Sequence, residues 1–467
     1  MSQEKNSFGK AHLVRCGWIF TGILAVLLCI PAYVGASLWY TETKGPFKNR
    51  TQVADLEQDG DLDVLVSHTR WEGVDLSWAG IGMWINQGNG DFELVRVSRS
   101  NNFSGFAAGA GDVDRDGDAD VYVWESGIRL LENQGGVQSG EPGRFLPSTG
   151  INLPPAYNLG YRDMGGTIVM GDLNADGWVD AFIAGCCYGL APTPPGYDLP
   201  HAPSVSWVWI NDGGTQVGRI GHILPMDSLD GLPIRQAALG DLDGDGDMDF
   251  FAAVDEPTMG TIVSSGDLIL LNDGTGHLSA IDPRFGDTDS TSVSLGDVNG
   301  DRRLDALVGA GSEARLWINQ GRSAGRGAPI FTSAEGSFEV SQGISGRQQA
   351  GFSLTIARLT GLYLPYGSTR TAAVFLADLD EDEDLDALIA RIWEAELWWN
   401  DGRGQFDRSD VRMEYREDTG VAVGDFDGDG DQDIFTGNNG EVYRLWWNDG
   451  NRVFRSFDEH QGLIGTK

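Results

Sequence analysis

The chain has 467 residues, 41% of them hydrophobic, with 15 Trp and 20 Phe, which suits a large packed core and excludes a disordered acidic tail. Its 69 Asp and Glu outnumber 33 Lys and Arg, and the net charge of −36 disfavours nucleic acid and anionic lipid and makes cations the first candidates to meet the carboxylates. Four cysteines supply neither a disulfide framework nor a CxxC spacing.

The first predicted element is apolar. No residue from Cys16 to Thr41 is charged, and Lys5, Lys10 and Arg15 precede the run. As a helix this stretch spans a bilayer of roughly 30 Å. It also reads as a signal peptide, with a basic start, an apolar centre over Trp18–Ile30, a break at Pro31 and a Val-Gly-Ala site ending at Ala36. Leu38, Trp39 and Tyr40 instead favour an interfacial anchor, and Leu28 is too large for a lipoprotein box at Cys29. Residues 1–45 are therefore expected to be a signal peptide or single-pass membrane anchor, and residues 46–467 to lie outside the cytoplasm: secreted, periplasmic or at the cell surface.

An acidic nonapeptide then recurs seven times, at Asp55 (DLEQDGDLD), Asp112 (DVDRDGDAD), Asp172 (DLNADGWVD), Asp241 (DLDGDGDMD), Asp297 (DVNGDRRLD), Asp378 (DLDEDEDLD) and Asp425 (DFDGDGDQD). Short apolar runs flank each copy, and a second mark follows: WINQG at 84, LENQG at 131, WINDG at 209, LLNDG at 270, WINQG at 317, WWNDG at 398 and WWNDG at 446. Alternation at period two predicts half-buried strands, and the Asn/Asp-Gly pairs predict antiparallel hairpins. Each unit reads strand, acidic loop, strand, connection, strand, hairpin, strand. Seven such units predict an all-β chain: a seven-bladed β-propeller of four-stranded antiparallel blades, preceded by the N-terminal hydrophobic helix.

The acidic loops carry oxygen side chains at positions one, three, five and nine, with Gly usually at position six. Alternate oxygens around a glycine turn resemble the first half of an EF-hand loop, and an all-oxygen cage suits Ca²⁺ rather than Zn²⁺ or Cu²⁺. The predicted ligands are Asp55, Glu57, Asp59 and Asp63; Asp112, Asp114, Asp116 and Asp120; Asp172, Asn174, Asp176 and Asp180; Asp241, Asp243, Asp245 and Asp249; Asp297, Asn299, Asp301 and Asp305; Asp378, Asp380, Asp382 and Asp386; and Asp425, Asp427, Asp429 and Asp433. The position-seven carbonyl is expected to complete each set, for up to seven Ca²⁺. The fifth loop, with Arg302 and Arg303 at positions six and seven, and the sixth, with Glu383 at position six, depart from the pattern.

From about residue 47 onward, the loop spacing and the WxN-(D/Q)-G mark resemble FG-GAP/VCBS-type repeats, the blades also found in integrin α-subunit heads. The resemblance implies a loop that joins the two inner strands of a blade and binds Ca²⁺. It does not name a partner, since those of the family range over adhesion ligands, glycans and proteins.

Strand alternation puts all acidic loops and hairpins on one face. The Pro-rich insert Gly185–Ser206 and the insert at about Ser345–Thr371 extend the opposite face, where Tyr188, Tyr197, His201, Tyr363 and Tyr366 are candidate contacts. Cys186 and Cys187 are adjacent, as a vicinal disulfide or two buried thiols. Trp84, Trp209, Trp317, Trp398 and Trp446 share one place in the repeat and are expected to pack between blades, a sugar-stacking role being the alternative. The sequons at Asn49 and Asn102 matter only in a eukaryotic secretory pathway.

No HExxH, GxSxG or P-loop is present, and the six His, at 12, 68, 201, 222, 277 and 460, show no ligand spacing. The first expectation is a noncatalytic binding, adhesion or protein-interaction module for an extracellular or periplasmic protein or glycan, tied to the membrane only through residues 16–40. The alternatives are a propeller enzyme acting on polysaccharide as lyase or hydrolase, with His201 and His222 the place to look, and a membrane-tethered assembly partner.

Overall fold

The computed structural model describes residues 41–42, 50–68, 80–88, 91–96, 107–124, 128–135, 143–148, 166–185, 205–214, 223–230, 232, 234–254, 266–285, 290–311, 313–322, 328–334, 371–391, 394–414, 420–437 and 443–458. The apolar run up to Tyr40, the sequons at Asn49 and Asn102, Cys186 and Cys187, His222, and the candidate contacts Tyr188, Tyr197, His201, Tyr363 and Tyr366 lie outside the described residues. Among the described residues no helix is long and apolar enough to cross a membrane.

The described strands form seven antiparallel sheets, each a meander in chain order. Blade one holds β1 (Thr41–Glu42), β2 (Arg50–Ala54), β3 (Asp63–His68), β4 (Gly80–Asn86) and β5 (Phe92–Arg96). Blade two holds β6 (Ala107–Gly111), β7 (Asp120–Trp124), β8 (Ile128–Asn133) and β9 (Phe145–Pro147). Blade three follows with β10 (Gly166–Gly171), β11 (Asp180–Gly185), β12 (Val205–Asn211) and β13 (Ile223–Asp230). In blade four come β14 (Ile234–Gly240), β15 (Asp249–Val254), β16 (Asp267–Asn272) and β17 (Leu278–Phe285). Blade five has β18 (Ser290–Gly296), β19 (Asp305–Ala310), β20 (Glu313–Arg322) and β21 (Pro329–Ser333). Blade six has β22 (Thr371–Ala377), β23 (Asp386–Arg391), β24 (Glu394–Asn400) and β25 (Phe406–Glu414). The seventh is β26 (Gly420–Gly424), β27 (Asp433–Gly437), β28 (Tyr443–Asn448) and β29 (Phe454–Asp458).

The first strands of the blades neighbour one another around the whole ring, from β2 beside β6 through to β26 beside β2, and so wall the axis. The fifth strand of blade one, β1, pairs with β2 (Thr41 opposite Thr51) and also touches β18, β22 and β26, which places it on the axial side.

The core is not one mass but seven, each shared by two adjacent blades. Phe182 of blade three packs with Phe250 of blade four at 4.6 Å between ring centroids, and Phe251 of blade four with Phe331 of blade five at 5.5 Å. The ring closes the same way: Phe92 and Trp84 of blade one meet Phe435 of blade seven at 5.5 and 6.2 Å. Because neighbours cover both faces of every blade, the second strands are buried on both faces, as in β7 and β15, rather than on one as period-two alternation suggests. The five repeated tryptophans lie in these seams, Trp209 against blade two, Trp317 against blade four, Trp398 against blade five and Trp446 against blade six. A glycine precedes several acidic loops because the next blade leaves no room: a Cβ on Gly240 or Gly296 would sit 2.4 Å from a Leu304 or Leu385 methyl.

Candidate metal centres

Each acidic loop joins the first and second strands of its blade, and its fold follows from its own carboxylates. Position one accepts the position-six N–H in all seven loops, from Gly60 to Asp55 at 3.1 Å through to Gly430 and Asp425 at 3.1 Å. Position five likewise accepts the position-seven N–H, as in Asp61 to Asp59 at 3.0 Å. These bonds require a left-handed residue at position six, such as Gly117 at φ 100°. Arg302 and Glu383 keep the same turn at φ 67° and 72°, so the fifth and sixth loops hold the common shape without the glycine. Position four is left-handed too, at Gln58, Arg115, Ala175 and Glu381, a feature that sequence reasoning missed because those residue types carry no turn signature.

Position nine does more than the spacing suggested. Each of these aspartates is buried and starts the second strand, and one oxygen accepts the backbone N–H of the Asn in the hairpin mark, from Asn86 to Asp63 at 2.8 Å to Asn448 and Asp433 at 2.8 Å. In six loops the other oxygen accepts the position-two N–H, as in Leu56 to Asp63 at 2.7 Å. The second loop is the exception: Asp120 Oδ2 is buried with no donor, as are both oxygens of its neighbour Asp118. The Asn side chain then reaches the preceding blade, where its amide donates to the position-two carbonyl of that blade's loop at all seven junctions, at 2.7–2.9 Å. Loop, hairpin and neighbouring blade are thus fastened by one Asp–Asn pair per blade.

Three predicted ligands converge in four loops. Asp112, Asp114 and Asp116; Asp241, Asp243 and Asp249; Asp378, Asp380 and Asp386; and Asp425, Asp427 and Asp433 each bring three carboxylate oxygens within 4.8 Å of one another. Of the remaining predicted ligands, Asp55, Glu57, Asp59 and Asp63 lie together in the first loop, where Glu57 is held above its usual range by burial and by Asp59. Asn174 turns its amide toward Asp176 at 3.0 Å in the third loop, and Asn299 turns its amide toward Asp305 at 3.2 Å in the fifth, so each of these two loops has a donor where the others have a fourth carboxylate. Asp172, Asp176 and Asp180 complete the third set and Asp297, Asp301 and Asp305 the fifth, where Arg303 pairs with Asp301. Asp245, Asp382 and Asp429 occupy position five of their loops, and Asp425 accepts Gly428 N–H at 2.8 Å.

The electrostatics are those of a cage with too much negative charge. Burial pushes the carboxyls of Asp63, Asp180, Asp249, Asp305, Asp386 and Asp433 up to about 7 and that of Asp120 up to about 8. Asp118 rises to about 7 through burial and the adjacent Asp116, and Asp431 to about 6 through burial and Glu381. Asp61, Asp118, Asp247, Asp384 and Asp431, all at position seven, are acids that sequence reasoning passed over in favour of that position's carbonyl. The donors are all oxygen, they crowd at ion-sized separations, and the second loop holds buried oxygens that no hydrogen bond satisfies. A hard divalent cation fits this set.

A family model described as FG-GAP-like repeat matches residues 55–123 and 378–436. No curated protein matches the chain. Among solved structures, a lectin of Agrocybe aegerita described by its specific recognition of non-reducing terminal N-acetylglucosamine is similar, at TM-score 0.51 and 16% identity over 81% of this chain and 87% of that one. A Photorhabdus luminescens Tc holotoxin pore is similar at TM-score 0.37 and 17% identity over 87% of this chain, which spans 16% of that one.

Proposed function

From the premise that the chain is a seven-bladed β-propeller of FG-GAP-like repeats, we propose that it is a calcium-dependent, noncatalytic binding module that works outside the cytoplasm. The carrying observation is the clustering of three carboxylate oxygens within 4.8 Å in four separate loops, each turned by the same position-one and position-five hydrogen bonds. Calcium bound there is structural. It relieves the repulsion of each loop and sets the face that carries the hairpins. The loop carboxylates are ligands and are not free for acid–base work, which favours binding over catalysis. The apolar run with its basic start supports delivery across a membrane, and the large inserts support a protein or glycan ligand on the opposite face.

Isothermal titration of the full chain, stripped of metal, tests the calcium part. Several Ca²⁺ are expected to bind at roughly 10⁻⁴–10⁻³ M, with Mg²⁺ binding more weakly. Equal response to both ions, or none, would sink it. A reporter fused after Lys467 tests location, since protease added outside intact cells should reach it only if the propeller is extracytoplasmic.

A further inference from the structure

The seven loops are not equivalent, because two of them already hold a cation supplied by the next blade. Arg322, at the end of β20 in blade five, pairs through Nη2 with Asp243 of the fourth loop and lies 3.1 Å from Asp245. Arg452, in the hairpin of blade seven, brings Nε and Nη2 to 2.5 Å from Asp380 of the sixth loop and lies 3.9 Å from Asp382. The two hairpins differ in sequence and length, yet both deliver a guanidinium to positions three and five of the preceding blade's loop.

The blade-seven arginine is held in place at a cost to its backbone. Two residues after the first hairpin glycine, blades four and six have Gly276 and Gly404, at φ 89° and 75°. Blade seven has Arg452 there, at φ 67°, a conformation disfavoured for any residue with a Cβ. Its guanidinium stacks over the Trp399 ring at 4.8 Å from the centroid, so the charge is aimed into the sixth loop by an aromatic face on one side and by Asp380 on the other. Loops one and seven differ. Their carboxylates at positions one, three and five form no ion pair with an arginine or lysine among the described residues: Arg455 pairs with Asp449 and acts on Asp427 only through its field, and burial together with neighbouring like charges raises Glu57 and Asp427.

We propose that Arg322 and Arg452 are built-in counterions that take the place of the divalent cation in loops four and six. These two loops then fill after loops one and seven, and the junctions between blades four and five and between six and seven stay closed without metal. Loops one and seven, at the junctions that flank blade one, depend on the ion. This assignment rests on the calcium reading above and says which sites carry it.

The test compares the full chain with Arg322→Met, Arg452→Met and the double variant, by titration with Ca²⁺ and by thermal unfolding in chelator. Each single variant should gain one Ca²⁺ bound about tenfold more tightly than any ion the wild type holds at that loop, because the competing charge is gone. Each should also melt lower than wild type in chelator and regain wild-type stability in Ca²⁺. Arg452→Lys should behave as wild type in stoichiometry, since it keeps the charge. If the wild type binds Ca²⁺ and the methionine variants bind the same number with the same strength, the counterion assignment fails alone. If neither the wild type nor any variant binds Ca²⁺, the calcium reading fails and takes the assignment with it. Should a methionine variant unfold without metal, purification in Ca²⁺ followed by competition with a chelator of known affinity yields the same comparison.

Discussion

The side-chain amide of Asn86 donates to the Phe426 carbonyl at 2.7 Å, a bond between the first blade and the last. Among the described strands none from the C-terminal end joins blade one, and side chains link the first blade to the last: this bond, Thr51 Oγ1 to the Val421 carbonyl at 2.6 Å, and the Phe92, Phe426 and Phe435 cluster. Asn211 makes the equivalent bond to the Val113 carbonyl at 2.7 Å at an interior junction.

Asn86→Ala should therefore cost about 1–3 kcal/mol, the loss of a buried hydrogen bond with its carbonyl left unpaired. Asn211→Ala should cost a similar amount, because closure uses the same device as the interior junctions. Urea unfolding of both variants checks this. An Asn86 variant with unchanged stability would mean that the ring is closed by other means.

Glycines that precede the acidic loops are set by the approach of the next blade. Gly240→Ala and Gly296→Ala each place a Cβ 2.4 Å from a leucine methyl, at Leu304 and Leu385, and should destabilise the fold by about 1–3 kcal/mol through overpacking. A Gly60→Ala variant meets nothing within 4 Å and tests backbone strain at φ 99° instead, separating conformational from packing cost. Denaturant midpoints distinguish the two. Neutral substitutions at Gly240 and Gly296 would contradict the packing.

The position-nine carboxyls govern the pH dependence of the metal-free protein. They titrate at about 7 in Asp63, Asp180, Asp249, Asp305, Asp386 and Asp433 and about 8 in Asp120, against 3.8 ordinarily, with burial the first cause. Between those limits the folded chain holds protons that the unfolded chain has released. Stability is fully present below the lower value and falls as pH rises through about 7. The stripped protein should melt at a lower temperature at pH 8 than at pH 5. Asp249→Asn should make that difference smaller. The opposite order would show that these carboxyls are ionised in the fold.

The repeat made much of this legible. Seven acidic loops and seven hairpin marks gave the number of blades, the strand order and the loop face, because each is a local pattern that the chain repeats. The hairpin Asn reads as a turn residue in the sequence, and its partner has no signature there: the Phe426 or Leu56 carbonyl is a backbone group. Position nine reads as a ligand from its spacing, and its hold on the Asn and position-two N–H groups emerges only when loop and hairpin are side by side. Arg322 and Arg452 carry no signature of their role in the sequence for the same reason, since their carboxylate partners are 79 and 72 residues away.

Thermal unfolding of the full chain, stripped of metal and then returned to Ca²⁺ or Mg²⁺, tests the central claim most directly. At free Ca²⁺ about ten times the dissociation constant, each filled loop adds about 1.4 kcal/mol, so several loops together should raise the melting temperature by many degrees, with Mg²⁺ doing far less. An unchanged melting temperature in Ca²⁺, from protein shown to be metal-free, would contradict the account and leave the acidic loops as turns held by their own hydrogen bonds.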